Sequence, residues 1–144
     1  MFKRILVPTD GSDLTAKAVD TALNLARLAG AQIVTVSVKE PFPYGLMSEM
    51  QPVPPQEYFD AQERIAASRV QRVQQVCADA GVACETHAID ADQPWRAIVD
   101  LAASAGCDLV VMASHGRRGL SAVLLGSETQ KVLTHCAVPV LVVR

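Results

Sequence analysis

Asp108-Leu109-Val110-Val111-Met112 runs directly into Ala113-Ser114-His115-Gly116-Arg117-Arg118-Gly119, and that change of character decides the fold. Four successive apolar residues with no polar alternation predict a short strand buried on both faces. A strand of that kind belongs to a parallel sheet covered by helices on either side. The glycine-rich segment that follows leaves from its carboxyl end, the edge where open α/β sheets bind ligands.

Working outward, each neighbouring segment fits the same plan. Upstream, Asp92 and Pro94 open a helix that turns Trp95, Ile98, Val99 and Ala102 inward and ends at Gly106. Downstream, Thr129 to Cys136 lies in a helix and Val138 to Val143 is a C-terminal strand. At the other end of the chain, Phe2 to Val7 reads as a strand stopped by Pro8, followed by the turn Asp10-Gly11-Ser12. Ser12 caps a helix with Val19, Ala22, Leu23 and Ala26 at helical spacing, closed by Gly30 in a left-handed conformation. Ala31 to Val38 is a second strand.

Glu40 to Gln56 carries Pro41, Pro43, Pro52, Pro54 and Pro55 and predicts one long loop, the kind reserved for a lid, a partner surface or plain mobility. Glu57 to Ala80 predicts an amphipathic helix, with Ile65, Val73, Val76, Cys77 and Ala80 inward and Arg64, Arg69, Gln71, Arg72 and Gln75 outward. Val82 to Ile89 is a weaker third strand, interrupted by Glu85, Thr86 and His87. Strand and helix alternate throughout. The expected class is a single doubly wound α/β domain spanning residues 1–144, a Rossmann-like five-stranded parallel sheet with helices on both faces.

Composition narrows the function. The 144 residues are 50% hydrophobic, which suits a globular core, and the net charge of -2 provides no field for nucleic acid or an anionic membrane. Aromatic residues make up 4%, too few for a base-stacking surface. Cys77, Cys84, Cys107 and Cys136 form no zinc-site spacing and read as reduced thiols. Neither a signal-peptide core nor a membrane span is legible, so a cytoplasmic location is expected.

The chemistry concentrates between Ala113 and Thr129. Gly116, Gly119 and Gly126 allow left-handed backbone and close approach of main-chain N–H groups to an anion. Ser127 and Gln130 have the spacing of a capping box, which would start the last helix at the sheet's carboxyl edge. Taken singly, these residues do no more than cap a helix or turn the chain, and Arg117 and Arg118 are a solvated pair. Their conjunction behind a buried strand favours an anion site at a helix N-terminus. Asp10 either binds ribose hydroxyls or a magnesium ion, or caps the following turn. His115 has no catalytic partner assigned to it and reads as ligand-lining; His87 and His135 read as structural and Trp95 as a core anchor.

Met112-Ala113-Ser114-His115-Gly116, nine further residues, then Gly126-Ser127, together with Ile5-Leu6-Val7-Pro8-Thr9-Asp10-Gly11-Ser12 and the ending Pro139-Val140-Leu141-Val142-Val143-Arg144, resembles the universal stress protein family. The resemblance covers essentially the whole chain. Nucleotide-binding members carry Gly-x2-Gly-x9-Gly-Ser/Thr here, and this chain departs from it with Ala113 at the first glycine. The resemblance implies an adenine nucleotide alpha hydrolase-like fold that binds ATP, with magnesium at Asp10, with little or no turnover, in a homodimer formed through Val138–Val143. It also implies that Pro8, Thr9 and Asp10 border the adenosine and Val38 the adenine. Met112, Ala113, His115 and Gly116 would line the nucleotide, and Gly126, Ser127, Glu128 and Thr129 would hold its phosphates by main-chain N–H and hydroxyl groups. Two other functions remain open, a slow ATPase or phosphoryl or adenylyl transferase, and a nucleotide-free dimeric interaction module. Against the enzyme, no Gly-x4-Gly-Lys-Ser/Thr loop is present.

Overall fold

The computed structural model describes residues 1–42, 55–117 and 124–144. The central part of the proline-rich loop, with its expected role as a lid, lies outside the described residues, as do Arg118 and Gly119. Five strands, β1 (Arg4–Pro8), β2 (Gln32–Lys39), β3 (Cys84–Asp90), β4 (Leu109–Ala113) and β5 (Val140–Val143), form one parallel sheet in the order β3-β2-β1-β4-β5. Four helices connect them in turn: α1 (Asp13–Ala29), α2 (Gln56–Asp79), α3 (Pro94–Ser104) and α4 (Ser127–His135).

The two faces of the sheet are two separate apolar layers. Ile5, Val7, Ile33, Leu109, Val111 and Ala113 pack beneath α1 and α2. Leu6, Val34, Val36, Val110 and Met112 pack beneath α3 and α4. Alternate side chains of each strand thus enter opposite layers, which is why the central strands show no polar alternation. The chain grows outward from β1 to β3 under α1 and α2, then crosses back through α3 to β4. Right-handed crossovers oblige the helices to change face when the direction of growth reverses. The reversal falls between β1 and β4.

Local chemistry sets the helix ends. The Ser12 side chain accepts the Thr15 N–H, and Gly30 ends α1 at φ 67°. Two expectations about burial are corrected. The buried stripe of α2 is Ala66, Val70, Val73 and Cys77, while Ile65 and Val76 are 41% and 38% exposed. The sequence reading followed the bulkiest side chains, whereas close packing on β2 is made by the smaller ones. Trp95 packs on the core only with part of its surface: it is half-buried against the layer under α3 and α4, stacks on His135 at 4.4 Å between centroids and carries the Arg96 guanidinium 5.3 Å from its ring centre. All four cysteines are free thiols. Among the described residues no helix is long and apolar enough to cross a membrane.

Candidate functional site

The reversal of strand order brings the ends of β1 and β4 side by side, so the segments that follow them meet. Asp10 is where they join. Its Oδ1 accepts the Ser12 N–H at 2.9 Å and the Thr15 hydroxyl at 3.1 Å, and its Oδ2 accepts the Arg117 N–H at 2.6 Å. Burial disfavours the charged carboxylate, but hydrogen bonds from Ser12, Arg117 and Thr15 outweigh it and hold the carboxyl below its ordinary range. Of the two readings of Asp10 left open by the sequence, the turn cap is the one its hydrogen bonds make, and its second oxygen serves the β4 loop. Among the described residues no group of three or more His, Cys, Asp or Glu is arranged to hold a metal ion.

The glycines act through space and not through handedness. Gly116 and Gly126 do not have positive φ, contrary to the left-handed backbone expected of them. A Cβ on Gly116 would overlap Asp10 Oδ2, and one on Gly126 would lie 3.0 Å from Ser114 O and 3.1 Å from His115 Cα. Gly126 donates its N–H to Ser114 O at 2.7 Å, which fastens the start of α4 to the end of β4.

The expected capping box is not formed. Gly126 is the N-cap of α4, at φ -63° and ψ 151°, with no side-chain cap, and Gln130 Nε2 donates instead to Leu125 O at 3.0 Å. The helix begins one residue earlier than that box requires. In consequence the Ser127 hydroxyl is not used as a cap, and the N–H groups of Ser127, Glu128 and Thr129 have no acceptor among the described residues. One phosphate contact expected of a side-chain hydroxyl is also reassigned. The Thr129 hydroxyl, on a residue 3% exposed, donates to Ala113 O at 2.9 Å. Glu128 Oε2 accepts the Trp95 N–H at 2.7 Å, so it caps α3 from the neighbouring helix.

The remaining predicted residues divide by face. Val38 and Met112 belong to the layer under α3 and α4, and Pro8 follows Leu6 on that side of β1. They form an apolar shelf at the carboxyl edge, next to the free N–H groups of α4. Thr9 is buried, donates its N–H to Val36 O at 2.9 Å and accepts the Gly11 N–H at 3.2 Å. Ala113 has negative φ and its methyl packs in the opposite layer, beneath α1. Alanine therefore neither strains the backbone nor points at the shelf. His115 is half-buried, and its Nδ1 lies 3.3 Å from Ser114 Oγ with no carboxylate bonded to the ring.

Arg69 is a residue the sequence reading missed. Placed among the solvated positions of α2, it stands three residues after buried Ala66 and four before Val73, on the edge of the buried stripe. Its side chain crosses Gly11, whose Cβ position would lie 3.4 Å from both Arg69 Cγ and Nε. The spacing to Ala66 and Val73 was the available signal. Two clefts, of about 600 and 360 Å³, lie at the carboxyl ends of β2 and β3, the first beside Ile89, Arg96 and Asp100 and the second beside Lys39, Phe59 and Asp90.

Comparison with known proteins follows the same geometry. The family model of the universal stress protein family matches residues 1–144. Universal stress protein MJ0531 of Methanocaldococcus jannaschii is 31% identical, over 100% of this chain and 83% of its own length. A universal stress protein of Thermus aquaticus is 33% identical over 100% of both chains. Among solved structures, the universal stress protein UspA from Lactobacillus plantarum superposes with a TM-score of 0.82 at 26% identity, covering 99% of this chain and 97% of that one. A universal stress protein from Archaeoglobus fulgidus, solved in complex with dAMP, shares the fold at a TM-score of 0.73 and 20% identity, over 99% and 98% of the two chains.

Proposed function

Because this chain belongs to the universal stress protein family, we propose that it binds an adenine nucleotide, ATP foremost, at the carboxyl edge of β1, β2 and β4. The observation that carries the reading is the start of α4. Three main-chain N–H groups and a Ser127 hydroxyl, without partners among the described residues, stand at a helix N-terminus whose dipole favours an anion. Gly126 is the residue whose lack of a side chain lets that end pack closely against Ser114 O and His115.

In this reading the phosphates rest on Ser127, Glu128 and Thr129 through their N–H groups, with the Ser127 hydroxyl as a further donor. The adenosine lies along the shelf of Pro8, Val38 and Met112, where an apolar surface suits the base. Thr9 and Asp10 fix the β1 turn beneath the sugar, and His115 and Gly116 form the rim. Ala113 contributes its carbonyl to Thr129 and keeps its methyl in the core, so this departure from the family motif is compatible with binding. Asp10 would not be needed to hold a magnesium ion bound with the nucleotide, since its oxygens already accept from Ser12, Thr15 and Arg117 and the phosphates would supply ligands of their own. That an Archaeoglobus fulgidus protein of the same family and fold was solved with dAMP is consistent with an adenine ligand.

The protein acts by occupancy and not by turnover, as a regulator in stress survival. Among the described residues, His115 has no carboxylate to orient it, and the lysine of α4, Lys131, is paired with Glu128 at 3.7 Å. The same reading includes a homodimer. β5 is an edge strand with Leu141 39% exposed, and pairing with a second copy would cover it. Two measurements test the proposal. Chromatography of the supernatant from denatured, freshly purified protein detects nucleotide, and titration of the stripped protein with Mg-ATP measures affinity. Absence of both carried nucleotide and millimolar binding contradicts it.

A further inference from the structure

Resting on the nucleotide reading, we infer that Arg69 is the residue that makes this site prefer phosphorylated ligands: its guanidinium, held across Gly11 beside the Asp10–Arg117 junction, neutralises the anionic part of the nucleotide. Two cations meet at this junction. Arg117 is exposed at the end of the described β4 loop, and Arg69 is half-buried on α2. Neither has a carboxylate within ion-pair distance among the described residues. Asp10 lies between them, but its oxygens are committed to Ser12, Thr15 and the Arg117 main chain, so it offers Arg69 a field and no hydrogen bond.

The resulting electrostatics are unfavourable without a ligand. Burial lowers the pKa of Arg69 and the charge of Arg117 pushes the same way, while Asp10 and Glu40 oppose them. A half-buried guanidinium beside a like charge keeps its donors available, and bringing an anion to it relieves both the desolvation and the repulsion. The stem that crosses Gly11 fixes where the fork stands, close enough that a Cβ on Gly11 would be in van der Waals contact with it at 3.4 Å. Gly126 donating to Ser114 O joins the helix N-terminus to the same loop that Asp10 holds through Arg117. One anion-binding edge therefore has main-chain donors on the α4 side and a guanidinium on the α2 side.

The test separates charge reading from scaffolding. Affinities for ATP and adenosine are measured for wild type, Arg69→Gln and Arg69→Lys, with thermal unfolding as the check on folding. The expected result is ATP binding weakened about tenfold or more in Arg69→Gln, less in Arg69→Lys, with adenosine affinity unchanged. Equal weakening for ATP and adenosine would mean that Arg69 only supports the turn, and no change would mean that it does not meet the ligand. Either outcome overturns the inference while leaving nucleotide binding intact. Failure of wild type to bind either compound removes the nucleotide reading itself, and this inference with it.

Discussion

Asp10 Oδ2 accepts the Arg117 main-chain N–H at 2.6 Å, across 107 residues of chain. This one bond closes the reversal point of the sheet, tying the turn after β1 to the loop after β4. Gly116 makes it possible, since a side chain there would occupy the position of the carboxylate oxygen. Gly116→Ala is therefore expected to lower stability by about 1–3 kcal/mol, the cost of disturbing a hydrogen bond to a charged, partly buried group. ATP affinity should fall with it. Gly30→Ala is the control, because Gly30 also has a demanding backbone at φ 67° but stands with nothing within 4 Å of its Cβ position. It should cost about 1 kcal/mol and leave affinity alone. Thermal unfolding and nucleotide titration of both variants decide the matter.

Acid should act on the same junction. The folded carboxyl of Asp10 titrates below its ordinary range, so its contribution is complete above the unfolded value of about 3.9 and is lost as pH falls through the folded pKa. The stability difference between wild type and Asp10→Asn is expected to be flat from about pH 5 to 8 and to shrink below about pH 4. Urea unfolding at a series of pH values measures it. A difference that stayed constant into the acid range would show that the ionised carboxylate is not what holds the loop.

Ala113→Gly tests how the departure from the family motif is accommodated. The methyl is buried in the layer under α1, so removing it should destabilise by about 1–2 kcal/mol through lost burial and added backbone entropy. Nucleotide affinity should remain within about twofold, since the methyl faces away from the shelf. A large gain in affinity would show instead that alanine obstructs the site.

Glu128 links the site to the opposite surface of α3. Removing its carboxylate in Glu128→Ala leaves the Trp95 N–H without its acceptor and should cost about 1 kcal/mol, as loss of a helix cap does. Trp95 is the single tryptophan, so its emission reports the change directly. Binding should survive, because the Glu128 main chain and not its side chain meets phosphate. Unchanged fluorescence and stability would contradict the cap.

The fold was legible because its information is local and repetitive. Leu109 to Met112 and Ile5 to Val7 lack alternation for the reason the structure displays, helices on both faces of the sheet. Helix ends at Ser12 and Gly30 are set by chemistry within a few residues. What stayed hidden depends on partners distant in the chain. Glu128 is committed to Trp95, and Thr129 to Ala113 O, neither of which spacing reveals. The start of α4 was misread because Ser127 and Gln130 match a capping box, yet the bond from Gly126 to Ser114 O makes the glycine the cap. Arg69 was misplaced for a related reason. Large side chains drew the predicted apolar face of α2 toward Ile65 and Val76, while the sheet packs against the smaller Ala66.

The most direct test of the account is calorimetric titration of nucleotide-stripped protein with Mg-ATP, run beside Gly126→Val. Ser114 O and His115 Cα lie 3.0 and 3.1 Å from the Gly126 Cβ position, so a valine there forces the start of α4 away from the β4 loop and displaces its N–H groups. The account predicts saturable binding at millimolar affinity or tighter in wild type, and its loss in a Gly126→Val protein that remains folded by circular dichroism. Wild type that takes up no ATP, or a folded Gly126→Val that binds it equally well, would contradict the claim that the free N–H groups at the head of α4 are the phosphate site.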